Sequence, residues 1–183
     1  VSAKWIWNKY KHYKKLCGEA GIEYSNRLRG SGGEFTLAME LGFLLLNYIK
    51  EDNLENIVLF TNDTNLLTGR LPKDSLGQSK FYEMCENKNY AVLACFKGLA
   101  PMDLYWTTGA NPKFYDSQFE ALKMWLDARV DMHPHILCYV PGNKEVVEKK
   151  VKNFMDRLEE LNKKLPLKLG IFWIDTNYVT TKQ

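Results

Sequence analysis

The sequence predicts an α/β fold in which parallel strands alternate with helices. Short β-branched and aromatic runs, typical of strands, are separated by longer segments whose apolar residues recur at helical spacing. The strands return at intervals of about 30 residues, the length of a right-handed βαβ unit. Five strands are recognisable, too few for a closed eight-stranded barrel, so an open barrel or a doubly wound sheet remains.

A basic and aromatic segment, residues 1–24, precedes the βα repeats of residues 25–183, and we expect the 183 residues to form one domain. Lys4–Lys15 predicts an amphipathic helix with solvated lysines. Three aromatic residues of this helix are expected to be partly buried: Trp5, Tyr10 and Tyr13. The alternative is that this mixture of lysines and rings contacts RNA, by binding phosphates and stacking on bases.

The first two repeats switch from strand to helix periodicity. Ser25–Gly30 is a short predicted strand, and Thr36–Lys50 follows as a helix. Four apolar residues of this helix share one face: Met39, Phe43, Leu46 and Ile49. Asn56–Thr61 has the β-branched and aromatic composition of a buried strand. Asp74–Asn87 then has helical spacing, although it contains Gly77.

The third repeat contains its own start signal for a helix. Tyr90–Lys97 predicts a strand. The side chain of Asn111 can cap the first turn of the helix that follows, and Pro112 suits its first position. An apolar stripe continues this helix: Phe114, Phe119, Leu122, Trp125 and Leu126.

The last part of the chain predicts a strand, a long helix and a final strand. Met132–Val140 is the first strand, with Pro134 tolerated near its start. Asn143–Lys164 has the clearest helical periodicity, with dense charge on its outer face. Leu167–Ile174 closes the series as a strand.

Composition narrows the class of protein. The chain is 45% hydrophobic and 26% charged, as in a globular domain, and its formal charge of +3 does not indicate a particular partner. Its apolar runs fall short of the roughly 20 residues that cross a bilayer. Four cysteines lack metal-binding spacing, so we expect buried free thiols and a cytoplasmic location: Cys17, Cys85, Cys95 and Cys138. A start at Val1 predicts a processed chain or part of a longer one.

The residues that follow the first strand predict a binding site. Gly32 and Gly33 allow a ligand to approach the backbone closely, and Ser31 precedes them. Glu34 can accept charge-assisted hydrogen bonds from an ammonium group. The alternative is a glycine turn in which Glu34 merely complements the dipole of the next helix.

Polar residues follow other predicted strands at the same edge. Asn62–Asn65 and Lys97–Gly98 would occupy strand-to-helix loops, where α/β folds bind their ligands. His133 and His135 share one face of a strand. Because no third ligand lies nearby in sequence, we expect them to line a cleft instead of binding a metal ion.

Three stretches resemble radical S-adenosylmethionine (radical SAM) enzymes. Ser31–Leu37 (SGGEFTL) resembles the family's glycine-glycine-glutamate motif, and Phe60–Leu67 (FTNDTNLL) resembles its segment on the next strand. Cys95–Pro134 is similar to a stretch in archaeal members. The resemblance implies a partial (βα)6-type open barrel of parallel strands with outer helices, whose first strand is missing or incomplete.

The resemblance also implies roles for individual residues. Ser31, Gly32, Gly33 and Glu34 would hold the methionine moiety of SAM, with Glu34 taking its α-ammonium group. Asn62 would lie near the nucleoside or sulfonium end of the cofactor, and Lys97 would face the barrel mouth, towards the substrate. Two departures are expected to be minor: Phe35 replaces the usual proline, and Asp63 replaces a glycine in a turn.

The cluster-binding motif is the larger departure, and no catalytic residue is assigned. Radical SAM enzymes hold a 4Fe–4S cluster with CxxxCxxC, and aligning the start of this chain places Ala3 and Ile6 at two of the cysteine positions. An upstream motif, replaced cysteines and a degenerate member remain open. The expected function is therefore SAM binding, with a 5′-deoxyadenosyl radical formed in the intact enzyme on an unknown substrate. The alternative is a cluster-less binding or assembly subunit.

Overall fold

The computed structural model describes residues 1–31, 33–138 and 142–173. Five parallel strands form one sheet in the order β1-β2-β3-β4-β5, which confirms the predicted α/β class. The strands are Arg27–Gly30 (β1), Leu59–Thr64 (β2), Tyr90–Phe96 (β3), Asp131–Cys138 (β4) and Gly170–Trp173 (β5). This order follows the chain without the reversal that marks a doubly wound sheet, and is therefore the order of a barrel-type winding.

Helices precede the first strand and connect the strands. The α-helices are Ala3–Glu19 (α1), Met39–Glu51 (α2), Leu71–Leu76 (α3), Gln78–Cys85 (α4), Pro101–Thr108 (α5), Tyr115–Asp127 (α6), Lys144–Leu161 (α7) and Leu165–Lys168 (α8). Short 3-10 helices, Phe35–Ala38 and Pro112–Phe114, lead into α2 and α6. Among the described residues, none of the helices is both long and apolar enough to span a membrane.

Two predicted helix starts are confirmed because capping is a local interaction. The Asn111 side chain accepts a hydrogen bond from the Lys113 N–H at 3.1 Å, and Pro112 occupies the first position. Asn143 caps α7 through a hydrogen bond from the Val146 N–H at 3.0 Å.

Other predicted boundaries are wrong. The predicted helix Asp74–Asn87 is two helices, α3 and α4, separated at Gly77, whose φ of +80° is incompatible with helix continuation. The first two residues of the predicted strand Leu167–Ile174 belong to α8, and β5 begins only at Gly170. Helix α5 was not predicted. The predicted strand ends Val140 and Ile174 lie outside the described residues.

The predicted loop Asn62–Asn65 is also wrong, because β2 continues through Thr64. Asn and Asp favour turns in isolation. Here Asn62 pairs in register with Gly30 of β1, and the ladder decides its conformation.

The chain divides into two compact units, each with an aromatic core. The first comprises Val1–Thr64, Arg70–Val92 and Trp125–Asp131, and the second the remainder. In the first unit, four buried rings lie in successive contact: Phe60, Tyr90, Trp125 and Phe81. In the second unit, three buried rings pack together: Phe96, Phe119 and Phe154.

Candidate functional site

Strands β1 and β2 place neighbouring side chains on two opposite faces. The parallel register pairs Arg27 with Leu59, Leu28 with Phe60, Arg29 with Thr61 and Gly30 with Asn62. Since side chains alternate along a strand, Gly30, Phe60 and Asn62 share one face. Helix α2 covers that face, where Gly42 approaches the Phe60 ring. Arg29 and Asp63 lie on the opposite face.

The turn after β1 exposes its backbone. Ser31 and Gly33 are exposed, Glu34 is half-buried, and Gly32 lies outside the described residues. Gly33 has a φ of +98°, which side-chain-bearing residues rarely adopt. A Cβ at Gly33 would have no atom within 4 Å. Glycine is therefore favoured at this position by the backbone conformation and not by crowding. The space beside Gly33 is open.

Glu34 is held in place by the residue two positions further along the chain. Its Oε1 accepts hydrogen bonds from the Thr36 N–H, at 3.3 Å, and from the Thr36 hydroxyl. Thr36 is fully buried, so these bonds fix the carboxylate at the start of the 3-10 helix. A carboxylate has about four acceptor sites. Glu34 therefore caps the 3-10 helix, and this role is compatible with binding a ligand's ammonium group.

Phe35 anchors this turn to the core. A Cβ at Gly30 would lie 2.5 Å from the Phe35 ring, and one at Gly42 would lie 3.1 Å from it. The same ring meets Phe60 edge-on, with centroids 5.6 Å apart. The expectation that Phe35 is a minor replacement is wrong, because its ring fills the space that the two glycines leave. Gly30 and Gly42 were the sequence signal for this packing.

Asn62 is a core residue. It is fully buried, and its Oδ1 accepts a hydrogen bond from the Tyr90 hydroxyl. Burial, with a smaller contribution from Cys85, raises the pKa of Tyr90 well above its usual value, so this hydroxyl stays protonated and able to donate. The Nδ2 of Asn62 is buried without a hydrogen-bond partner. Such an unpaired donor is costly and indicates either strain or a missing partner.

Arg29 and Asp63 join the carboxyl ends of β1 and β2 on the other face. The Arg29 guanidinium donates from Nε and Nη2 to both carboxylate oxygens, at 2.7 to 3.2 Å. The pairing is bidentate, the strongest geometry for this ion pair. Asp63 itself lies within β2, and the turn predicted at this position is not formed.

The second unit contains the remaining candidate residues. Lys97 is half-buried and directly follows β3. A Cβ at Gly98 would lie 2.5 Å from the Leu104 backbone nitrogen, so glycine is required for the chain to pass α5. Asp103 of α5 is fully buried and is paired with Lys150 at 2.7 Å.

His133 and His135 are both half-buried in β4. His135 Nδ1 lies 3.0 Å from the His133 carbonyl oxygen, and the His135 ring stacks on Phe172 with centroids 5.7 Å apart. The described residues contain no group of three or more potential ligands placed to hold a metal ion. Their cysteines Cys17, Cys85 and Cys95 are free thiols, of which Cys85 alone is buried, whereas the Cys138 side chain lies outside the description.

Comparison with known proteins identifies the fold. No protein-family model matches the sequence, and no curated protein matches it. The structure of Streptococcus suis SuiB bound to S-adenosylmethionine matches 96% of this chain at 15% identity, with a TM-score of 0.53. A second SuiB structure gives the same values. The chain spans 44% of SuiB, so at this identity it shares an α/β fold with part of that protein.

Proposed function

We propose that this chain binds S-adenosylmethionine at the turn formed by residues 31–34, as a radical SAM-like protein. The observation that carries the proposal is the fold match to a SAM-bound structure of SuiB, a radical SAM enzyme. Ligands of parallel α/β folds lie at the carboxyl ends of the strands, and this turn directly follows β1.

The chemistry of the turn fits the methionine moiety of SAM. Ser31 and Gly33 are exposed, and together with Gly32 they are assigned to the methionine moiety, which a glycine backbone can approach closely. Glu34, oriented by Thr36, would accept charge-assisted hydrogen bonds from the α-ammonium group. The Thr36 contacts reduce the side-chain freedom that Glu34 would otherwise lose on binding.

Two further residues complete the proposed assignment. Asn62 is assigned to the nucleoside or sulfonium end of SAM, and its unpaired Nδ2 is the atom that would donate. Lys97 is assigned to the substrate side, since its ammonium group can bind an anionic group.

The described residues do not fit a radical SAM cluster. Three thiolates are needed to hold three irons, whereas Ala3 and Ile6 carry no ligand atoms. The free cysteines are dispersed over α1, α4 and β3. Radical formation would require cysteine ligands from outside residues 1–183, so the proposal for this chain is confined to cofactor binding.

Calorimetric titration with SAM tests the proposal. Glu34→Gln keeps an oxygen acceptor for Thr36 but removes the charge, and we expect it to weaken SAM binding about tenfold or more. Glu40→Gln is the matched control, since Glu40 is exposed in the first turn of α2. Equal affinity of Glu34→Gln and wild type would remove the Glu34 assignment. Absence of SAM binding by the wild type would remove the proposal.

A second candidate is a cluster-less module that acts as a binding or assembly subunit. The absence of an assembled ligand group among the described residues favours it. Iron and sulfide analysis of the full-length natural protein, prepared without oxygen, separates the two. About four irons per chain would support the enzyme, and a colourless protein without iron would support the module.

A further inference from the structure

Helix α1 is attached to the first unit through one face. Trp7 and Tyr10 are buried, and their rings stack with centroids 5.2 Å apart. Trp7 Nε1 donates to Asp52 Oδ2 at 2.7 Å, and the Tyr10 hydroxyl donates to the Ser25 carbonyl at 3.3 Å. The predicted burial of Tyr10 is confirmed, and these contacts attach one face of the helix to the unit.

The opposite face of α1 leaves aromatic rings in solvent. Trp5 is 55% exposed and Tyr13 is 53% exposed, so about half of each side chain is accessible to solvent. Lys9 Nζ lies 5.7 Å from the centroid of the Trp5 ring, and the His12 and Tyr13 rings are 5.8 Å apart. Since residues four apart lie on one side of a helix, Trp5, Lys9 and Tyr13 form one row. We name this row, with the adjacent Lys4, the basic aromatic face.

The charge of α1 is unbalanced. The helix contains five lysines and a single acidic residue, Glu19. Lys11 is paired with Asp52 at 2.6 Å, and Lys15 lies 3.7 Å from Glu19. Lys4 and Lys9, in contrast, have no acidic partner within the described part of the chain. The positive charge is therefore uncompensated where the rings are exposed.

We infer that the basic aromatic face binds single-stranded nucleic acid. Trp5 and Tyr13 offer flat surfaces on which bases can stack, and Lys4 and Lys9 can neutralise phosphates. Eight residues of helix separate the two rings by about 12 Å, which spans roughly three or four stacked nucleotides. Because every base has a stacking surface, this arrangement predicts little sequence preference.

Two other partners fit this face less well. A helix lying on a membrane inserts a continuous apolar face, but Trp7 and Tyr10 are packed inside the unit, and Lys9 interrupts the exposed row between Trp5 and Tyr13. The centre of a protein interface is depleted in lysine, whereas Lys9 stands between the two exposed rings.

Fluorescence anisotropy with a short labelled oligouridine tests the inference, using the whole chain. We expect binding that weakens with salt between about 50 and 200 mM, with a logarithmic slope of about −1.4 for two phosphate contacts. Trp5→Ala and Tyr13→Ala should each weaken binding about tenfold. Lys9→Ala should reduce the slope by about 0.7.

The chain provides matched controls for these variants. Trp106 is 57% exposed on α5, a helix without lysine, so Trp106→Ala should leave binding unchanged. Lys88 is exposed outside α1, and Lys88→Ala should keep the wild-type slope. Unfolding midpoints equal to that of the wild type would show that each variant is folded.

Three results would overturn the inference. The first is that Trp5→Ala and Tyr13→Ala bind oligouridine with the same affinity as the wild type. Another is an equal loss of affinity in Trp106→Ala, which would indicate nonspecific contact with exposed rings. The third is binding to phosphatidylserine vesicles, lost in Trp5→Ala, by a chain that does not bind oligouridine.

Discussion

The ring of Phe35 lies directly over the backbone of Gly30. A Cβ built on Gly30 would lie 2.5 Å from the Phe35 ring, closer than any stable contact. The residue that ends β1 and the residue that follows Glu34 are therefore packed against each other. This contact gives the candidate ligand-binding turn a rigid base.

Gly30→Ala should destabilise the fold by about 1–3 kcal/mol, the usual cost of overpacking a core. Urea denaturation measures the change. Gly18→Ala is the matched control, since Gly18 lies within α1 with no atom within 4 Å of a Cβ, and alanine should stabilise the helix by up to about 1 kcal/mol. Adding Phe35→Leu to Gly30→Ala should recover part of the loss. Purely additive effects of the two substitutions would contradict the packing relationship.

Tyr90→Phe should destabilise the fold by about 1–3 kcal/mol, because it leaves the buried Oδ1 of Asn62 without a donor. Tyr82→Phe removes a hydroxyl that accepts a 3.2 Å hydrogen bond from Lys73 at a partly exposed site, and should cost much less. Denaturation midpoints compare the two variants. A change in Tyr90→Phe no larger than that in Tyr82→Phe would show that the Asn62 contact contributes little.

Lys150→Met should destabilise the fold by about 3–5 kcal/mol, because it leaves the fully buried carboxylate of Asp103 without its partner. Lys152→Met is a control on the same helix with the same 2.7 Å separation from its partner, Asp156. Since that pair is exposed to solvent, its loss should change the free energy of unfolding much less than the loss of the buried pair. Similar losses in both variants would contradict the dependence on burial.

Stability should fall at high pH through Cys85. Burial, with a smaller contribution from Glu86, raises the pKa of this thiol from 9.0 to about 12. The folded state binds the thiol proton of Cys85 more tightly than the unfolded state does. The stabilisation from this group is therefore complete below about pH 9 and is lost as the pH rises towards 12. Urea denaturation across this range should show a loss of up to about 1.4 kcal/mol per pH unit from this group. With rising pH, Cys85→Ala should lose stability less steeply than the wild type, whereas Cys17→Ala should lose it as steeply as the wild type. Equal slopes of stability against pH in all three proteins would exclude Cys85 as the cause.

Periodicity alone predicted the alternation of strands and helices, including the helix from Asn143, and local capping chemistry predicted the helix start at Asn111. Both signals depend on residues a few positions apart, so they can be recognised without information on the rest of the chain. The glycine turn at 31–34 was recognisable for the same reason. The structure adds that Gly33 adopts a positive φ and that Thr36 holds the Glu34 carboxylate.

Long-range contacts decided the rest. Asn62 and Asp63 have turn propensity, yet both lie in β2, where Asn62 pairs with Gly30 of β1. Asn62 is bonded to Tyr90, and Asp63 to Arg29. The residues Lys4–Lys15 predict a helix, but the docking contact through Asp52 determines that Trp7 is buried and Trp5 exposed. Burial depends on which residues distant in sequence meet in space, and a local pattern does not contain that information.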